Sequence, residues 1–227
     1  MSHVIPYSFT MNKLNYISFF LLITLGNLNA QNLAVLQYEG GGDWYSNPTS
    51  LKNLIQFCNA EINTKMNLEP QTVSADDPEI FEYPMLHMTG HGNVFFSKET
   101  LQNLRTYLLG GGFLHIDDNY GMKPFILPQI KNLFPNMELT EIPLNHPIYN
   151  IHFKFPKGLP KIHEHDGLTP KAMGIFHKNK LVLLFTYESD LGDGWEDSEV
   201  HNDSEAVREK ALKMGANIVK YAFEKSL

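Results

Sequence analysis

A histidine between two glycines is the first candidate for chemistry in the 227-residue sequence. His91 lies between Gly90 and Gly92, directly after the apolar segment 83–88. An imidazole changes charge near neutral pH, so His91 can act as an acid or a base, and the two glycines let the backbone approach a ligand closely. The alternative is a tight turn that needs glycine and exposes its histidine.

Two adjacent acids form the second candidate. Asp117 and Asp118 end an apolar segment, and Asn119 and Tyr120 follow them as candidate ligand contacts. Two carboxylates at this spacing can hold a hard divalent cation, or form an acid and base pair whose pKa values are pushed apart by proximity. Because side chains alternate along a strand, Asp117 and His115 should face one side of the sheet and Asp118 the other. The alternative is that Asp118 or Asn119 caps the next helix.

Two glycine-rich segments offer ligand-binding groups. In the segment 190–196, Asp193 and Glu196 can accept hydrogen bonds from hydroxyl groups, and Trp195 can stack on a planar or sugar-like ring. The alternative for Trp195 is a place at the edge of the core. The turn 40–44 can bring its backbone close to a ligand at the end of the first strand. Its candidate contacts are Gly41, Asp43 and Trp44.

Histidines also gather in the proline-rich segment 143–170, which we interpret as an insertion beside the site. Imidazole and carboxylate groups are zinc ligands, so a zinc site is one interpretation of the histidines in this segment and Asp166. A solvated loop is the other, because the set is not compact. These histidines are His146, His163 and His165. Of the three, His146 joins the candidate ligand contacts; the sequence names neither a metal nor a cofactor.

Apolar segments and helical periodicity place these candidates in an α/β order. The predicted strands are 33–38, 71–73, 83–88 and 112–116. Strands that alternate with helices predict a parallel sheet with helices on both faces, and ligands bind beyond the carboxyl ends of such strands. We therefore expect the turns 40–44, 90–92 and 117–121 to surround one cleft.

Caps and apolar faces predict the helices. The first should be capped by Asn47, with a buried face made of Leu51, Leu54, Ile55 and Cys58. The second should begin after Ser97 and end in a left-handed cap at Gly110. Near the C-terminus, strands 172–176 and 181–187 predict a β-hairpin, and the apolar spacing from 207 to 222 predicts a closing helix.

Composition and the N-terminus limit the class of protein. Residues 1–30 combine Lys13, an apolar run and a final Ala30, which predicts a signal peptide and an exported protein, periplasmic or extracellular. Residues 31–227 are then predicted to form a single domain without a membrane span. The formal net charge of −7 argues against nucleic acid as a partner. Cys58 is the only cysteine, so no disulfide can form within the chain.

Several ordered motifs carry a resemblance to a known family. They are the segments 88–92, 104–108, 111–112, 117–118, 145–147 and 192–196. Spread from about Leu33 to Phe223, they resemble the domain of unknown function numbered 4159. The resemblance implies kinship with glutamine-amidotransferase-like and ThuA-like proteins. That kinship implies a flavodoxin-like three-layer sandwich with a mostly parallel sheet.

One departure from the amidotransferases argues against amidotransfer. Those enzymes carry a nucleophilic cysteine in a sharp turn after a strand, whereas the comparable turn here reads Asp118-Asn119-Tyr120-Gly121. Asn119 stands where the thiol would be, and asparagine is not a nucleophile. Cys58 cannot replace the thiol if it lies on the apolar face of the first helix.

Three functions follow from these observations. The first is an exported module that binds a small polar ligand at the strand ends. The second is a hydrolase or isomerase, with or without a metal, in which His91 and Asp117 or Asp118 act as acid and base. The third is an envelope interaction domain that uses the same surface to bind a protein partner.

Overall fold

The structure is a computed structural model that describes Met1 and residues 32–225. The strands in these residues are β1 (Leu33–Gln37), β2 (Gln71–Ser74), β3 (Met85–Gly90), β4 (Phe113–Asp118), β5 (Thr140–Glu141), β6 (Lys171–His177) and β7 (Lys180–Tyr187). The helices are α1 (Ser50–Glu61), α2 (Lys98–Leu109), α3 (Lys123–Leu133), α4 (Leu191–Trp195), α5 (Ser198–His201) and α6 (Glu205–Lys225). The predicted signal peptide, apart from Met1, lies outside the described residues.

The strands form one mixed sheet with the order β2-β1-β3-β4-β7-β6-β5. β1 pairs in parallel with β2 and β3, and β4 pairs in parallel with β3 and β7. β6 runs antiparallel to both β7 and β5. The chain is therefore α/β, as predicted. The predicted hairpin is also confirmed, and Lys178 and Asn179 form its turn with the positive φ angles that such turns require.

Helices cover both faces of the sheet. α1, α4 and α6 pack on the face that contains Met85 and Phe113, whereas α2 and α3 pack on the face that contains Leu86 and Ile116. Because they are covered on both sides, the central strands β3 and β4 are buried along their whole length. Within residues 32–225, no helix is long and apolar enough to cross a membrane.

The first helix has the predicted buried face but a different cap. Its buried side chains include Leu51, Leu54, Ile55 and Cys58. Asn47 does not cap it: the helix begins at Ser50, and the carboxylate of Glu196 accepts hydrogen bonds from the backbone N–H groups of Thr49 at 3.0 Å and Ser50 at 2.9 Å. The prediction failed because Oδ1 of Asn47, the atom that would cap the helix, accepts instead from Thr89 Oγ1 at 3.3 Å and from Nδ2 of Asn119.

The ends of α2 confirm one predicted cap and correct the other. Ser97 Oγ accepts a hydrogen bond from the N–H of Thr100 at 3.1 Å. Gly110 has a right-handed φ of −78°, and the left-handed residue is Gly111, with a φ of 118°. The left-handed conformation comes one residue later than predicted because the N–H of Gly110 still bonds to the carbonyl of Thr106, at 2.9 Å.

The segment 190–196 forms the short helix α4 and is not a flexible loop. Glycine is required here for close packing: a Cβ on Gly194 would lie 2.5 Å from the Cβ of Ala211 in α6. Trp195 is fully buried, and its Nε1 donates to the carbonyl of Ala211 at 2.9 Å. Its ring has no exposed face on which a ligand could stack, so the alternative place in the core is confirmed.

Candidate functional site

Polar side chains gather at the carboxyl edge of the sheet, but on its two faces separately. Asp117 lies on the face of α1, α4 and α6, where its Oδ2 accepts a hydrogen bond from Gly192 N at 2.6 Å. Asp118 lies on the face of α2 and α3, where its carboxylate accepts from the N–H groups of Met122 at 2.8 Å and Lys123 at 3.0 Å. The predicted opposite orientation is confirmed, and Asp118 caps α3.

On the α1 face, polar groups from several elements converge on one carboxylate. Oδ1 of Asp193 accepts hydrogen bonds from Nδ2 of Asn47 at 2.7 Å and Nδ2 of Asn119 at 2.9 Å. Thr89, at the end of β3, donates to Oδ1 of Asn119 at 2.9 Å. With His163, these residues are called the Asp193 cluster. The end of β3 and the turn after β4 therefore meet α4. The predicted single cleft is divided, however, because the turn 90–92 pairs with Asp43 on the other face of the sheet.

Histidines from the segment 143–170 complete the outer part of this cluster. His163 Nδ1 lies 3.2 Å from Asp193 Oδ2, and His163 Nε2 lies 3.0 Å from Asp203 Oδ2. His165 Nε2 bonds to the buried carboxylate of Asp190. Hydrogen bonds from His163 to Asp190 and Asp193 stabilise the imidazolium and raise the pKa of His163 to about 10. The part of the predicted segment that contains His163 and His165 therefore lies beside the Asp193 cluster.

The charge of Asp193 follows from these neighbours. Burial alone would raise its pKa, because it disfavours the carboxylate. The hydrogen bonds from His163 and Asn47 outweigh burial and leave the pKa of Asp193 below its usual value. Asp193 is therefore a carboxylate at neutral pH.

Beneath the cluster, four buried side chains form a continuous hydrogen-bonded series, called here the His87–Asp117 chain. His87 Nδ1 lies 3.1 Å from His115 Nδ1, and His115 Nε2 lies 3.0 Å from Thr186 Oγ1. Thr186 then donates to Asp117. Burial lowers the pKa of His87 to about 3 and raises that of Asp117 to about 8. Both histidines are therefore neutral at physiological pH.

The protonation state of Asp117 determines which group donates and which accepts in each hydrogen bond of the His87–Asp117 chain. When Asp117 is ionised it accepts from Thr186, so Thr186 accepts from Nε2–H of His115. Nδ1 of His115 then carries a lone pair and accepts from Nδ1–H of His87, which leaves His87 Nε2 as an acceptor. When Asp117 is protonated, the order can reverse and His87 Nε2 becomes a donor. The state of Asp117 is thus transmitted to His87.

A cleft of about 230 Å³ lies beside the His87–Asp117 chain, between β1, β2, β3 and the start of α1. Its polar lining includes His87, Thr89 and Asn47, and Trp44 and Tyr45 stand at its wall. Nε2 of His87 is buried and has no hydrogen-bond partner among the described residues. The cleft therefore adjoins both the Asp193 cluster and the one free nitrogen of the described His87–Asp117 chain.

The other face of the sheet carries the Asp43 cluster, which consists of Tyr38, Asp43, His91 and Asp118. Asp43 accepts from the backbone N–H of His91 at 2.5 Å and lies 2.9 Å from its Nδ1. The hydroxyl of Tyr38 lies under Gly90, where a Cβ would come within 2.3 Å of it. In the part of the chain that is described, no side-chain hydrogen bond joins His91 to Asp117 or Asp118. His91 therefore pairs with Asp43 and not with the predicted Asp117, which lies on the other face, whereas Asp118 lies on the same face and caps α3.

The remaining predicted contacts take different places. Tyr120 is exposed, stacks on His165 with a centroid distance of 4.3 Å and donates to Asp166 at 3.0 Å, so it lies at the rim of the Asp193 cluster. Gly41 lies exposed and Gly92 partly exposed on the outer turns. His146 packs against Phe176 and Tyr221, near the amino end of β7, and does not join the cluster.

Glu196 has a structural place. Its carboxylate is buried and accepts three hydrogen bonds at the start of α1, from the N–H groups of Thr49 and Ser50 and from Thr49 Oγ1 at 2.9 Å. Burial raises its pKa despite these bonds. Its oxygens are used within the fold and are not presented to a ligand.

Several residues of the site were missed in the sequence. They are Asn47 as a cluster member, His87, Thr186, Asp190, His201 and Asp203. The signal that could have found His87 and Thr186 is a polar residue inside an otherwise apolar strand, because buried polar groups need partners.

Comparison with known families gives one match. The model of the family described as Domain of unknown function (DUF4159) matches residues 32–223. A comparison with curated proteins finds no match. The match covers both polar clusters and every strand of the sheet.

Proposed function

The chain belongs to the DUF4159 family, and from its structure we propose that it binds a small polar ligand in the cleft beside α1. The observation that carries the proposal is Nε2 of His87, which is buried in the wall of this cleft without a partner. A buried polar group without a hydrogen bond costs about 1–3 kcal/mol. A ligand that pairs with this nitrogen removes that cost.

The other residues of the cleft support a ligand with hydroxyl or amide groups and a flat apolar face. Thr89 and Asn47 offer hydroxyl and amide groups at one side. Trp44 and Tyr45 stand edge to face, with centroids 5.4 Å apart, and 65% of Tyr45 is exposed. Small-ligand sites commonly combine aromatic side chains in the lining with a few polar groups that fix the orientation of the ligand.

The test is a thermal-shift screen with sugars, polyols, amino acids and nucleosides, followed by titration calorimetry of each ligand that raises the Tm. We expect Tyr45→Ala to weaken binding about tenfold through the lost ring contact. Phe125→Ala is the matched control, since Phe125 is an exposed ring on α3, away from the cleft. A screen without any stabilising ligand, or equal losses in both variants, would contradict the proposal.

A second candidate function is acid and base catalysis in a hydrolase or isomerase. The His87–Asp117 chain favours it, because a buried acid coupled to a free imidazole nitrogen can accept and return a proton. In this candidate function, His87 takes the acid and base role that the sequence analysis gave to His91. Incubation with the ligands found in the screen, followed by mass spectrometry, should detect a product that Asp117→Asn no longer forms although it still binds the ligand. If the protein binds a ligand but forms no product, the result supports ligand binding without catalysis.

We also infer a flavodoxin-like layering and an export route. The parallel strands β2-β1-β3-β4-β7 follow the order that flavodoxin-like sheets have, with β6 and β5 added at one edge. The composition of residues 1–30 supports a signal peptide. Mass spectrometry of the protein from its native host should find Gln31 at the N-terminus and the protein outside the cytoplasm.

A further inference from the structure

We propose that His163, Asp193 and His201 bind one divalent transition-metal ion of the zinc class. One ligand atom from each of these residues lies within 4.8 Å of the others. The three come from the segment before β6, from α4 and from α5, so the fold brings them together. This site lies next to the proposed ligand cleft but does not include the residues of its wall.

The distances are close to those of a metal site. In a tetrahedral zinc site with ligand bonds of about 2.0–2.1 Å, neighbouring ligand atoms are about 3.3 Å apart. His163 Nδ1 and Asp193 Oδ2 are separated by 3.2 Å, and His201 Nε2 is 3.8 Å from Asp193 Oδ1. The contact of His201 is to Oδ1, the other carboxylate oxygen, so binding one ion together with Oδ2 requires its ring, which is exposed at the end of a short helix, to move toward Oδ2.

The neighbours hold two of the three ligands in the orientation that a metal needs. Nε2 of His163 lies 3.0 Å from Asp203, so Nδ1, which faces Asp193, is the nitrogen that would bind the ion in place of its proton. A carboxylate behind a histidine ligand is common in zinc sites. Oδ1 of Asp193 is held by the amides of Asn47 and Asn119, which turns Oδ2 toward His163.

A second observation points independently to a cation. Asp190 is fully buried, and its Oδ1 has no hydrogen-bond partner among the described residues. Its Oδ2 bonds to Nε2 of His165 and lies 3.5 Å from Nδ1 of His163, so this carboxylate lies beside the proposed ion. In this structure His163 pairs with both carboxylates. A divalent ion that replaces the proton on His163 Nδ1 would take over as the compensating charge for Asp190 and Asp193 together.

The test is titration of chelator-treated protein with Zn²⁺ by calorimetry and with Co²⁺ by visible absorption. We expect one saturable ion per chain. His201→Ala should weaken binding at least tenfold, and Asp203→Asn about 10-fold to 100-fold, as for other residues behind a metal ligand. His152→Ala is the control, because His152 is an exposed histidine of the same segment outside the cluster and should bind as the wild type does.

The proposal is overturned if the wild-type chain binds neither ion saturably, or if His201→Ala binds both as tightly as the wild type. His201 is exposed, so its replacement tests binding without disturbing the core, and circular dichroism checks that the variant is folded. Ligand binding in the cleft is measured on the metal-free protein. Failure of the metal site is therefore distinguishable from failure of the proposed ligand binding.

Discussion

The two polar clusters at the carboxyl edge of the sheet are built in different ways. The Asp193 cluster joins side chains more than 40 residues apart in sequence, for example Thr89 to Asn47 and Asn119 to Asp193, and most of them are shielded from solvent. The Asp43 cluster also joins distant residues, because Asp43 and His91 are 48 residues apart in sequence, but it is more exposed: the side chain of His91 is 51% exposed and that of Asp43 is 34% exposed. The most visible motif in the sequence, Gly-His-Gly, is therefore not the best-supported candidate site.

The largest expected effect comes from removing the ring that supports the α1 face. Trp195 is fully buried and packs against both His87 and His115, with centroid distances of 5.2 and 5.8 Å. We expect Trp195→Ala to lower the free energy of unfolding by about 3–5 kcal/mol, measured by urea denaturation. Trp44→Ala should cost less than half as much, because Trp44 is only partly buried. Equal costs would mean that the two regions do not differ in packing.

The next effect compares two carboxylates that cap helices. Glu196→Ala should lower the free energy of unfolding by about 2 kcal/mol, because it leaves two N–H groups of α1 without a partner. Asp118→Ala should cost about 1 kcal/mol at α3. Only the Glu196 variant should also increase hydrogen exchange in α4. Increased exchange in α4 of both variants would contradict the separation of the two faces.

The pH dependence of stability should distinguish Asp117 from Asp118. Burial raises the pKa of Asp117 to about 8, so the folded state holds this proton more tightly than the unfolded state. Its contribution is complete below the unfolded pKa of about 4 and is lost as the pH rises toward 8. The free energy of unfolding of the wild type, relative to Asp117→Asn, should therefore fall between these pH values. Asp118→Asn should show a smaller change, since Asp118 is less buried; an equal change would contradict this order.

The smallest effect is expected at His91. Exposed ion pairs contribute less than about 1 kcal/mol, and the pair of His91 and Asp43 is partly exposed on both sides. His91→Ala should therefore leave the Tm nearly unchanged and ligand binding in the cleft intact, both measured by thermal shift. Loss of cleft binding in this variant would show that the two clusters act as one site.

Much of the fold could be predicted from the sequence because it depends on local pattern. The apolar runs of β3 and β4, the hairpin turn and the buried face of α1 each lie within a few residues of their signal. The cap of α1 could not be predicted, because Glu196 comes from a segment about 150 residues away. The segment 190–196 was interpreted from its glycines as a ligand-binding segment, but Gly194 lies in α4 and allows close packing against α6.

The site was predictable only in part, because its core depends on strand register. His87 lies opposite His115 in the pairing of β3 with β4, and Asp117 lies opposite Thr186 in the pairing of β4 with β7. A shift of one residue would turn these side chains to the other face. Asp193 and Asn119 were identified because each lies in a glycine-containing segment that follows a predicted strand. His87 and Thr186 lie within apolar strands, where their polarity alone marks them.

The reversed direction of β6 decides which chain segments can reach the polar edge. A strand that runs with β4 and β7 would receive its preceding connection at the opposite end of the sheet. Because β6 starts where β7 ends, with Lys171 opposite Tyr187, the connection before it arrives beside Asp190 and Asp193. Because β6 is antiparallel, the connection before it brings His163 and His165 to the carboxyl edge of the sheet, where they lie beside the carboxylates of Asp193 and Asp190.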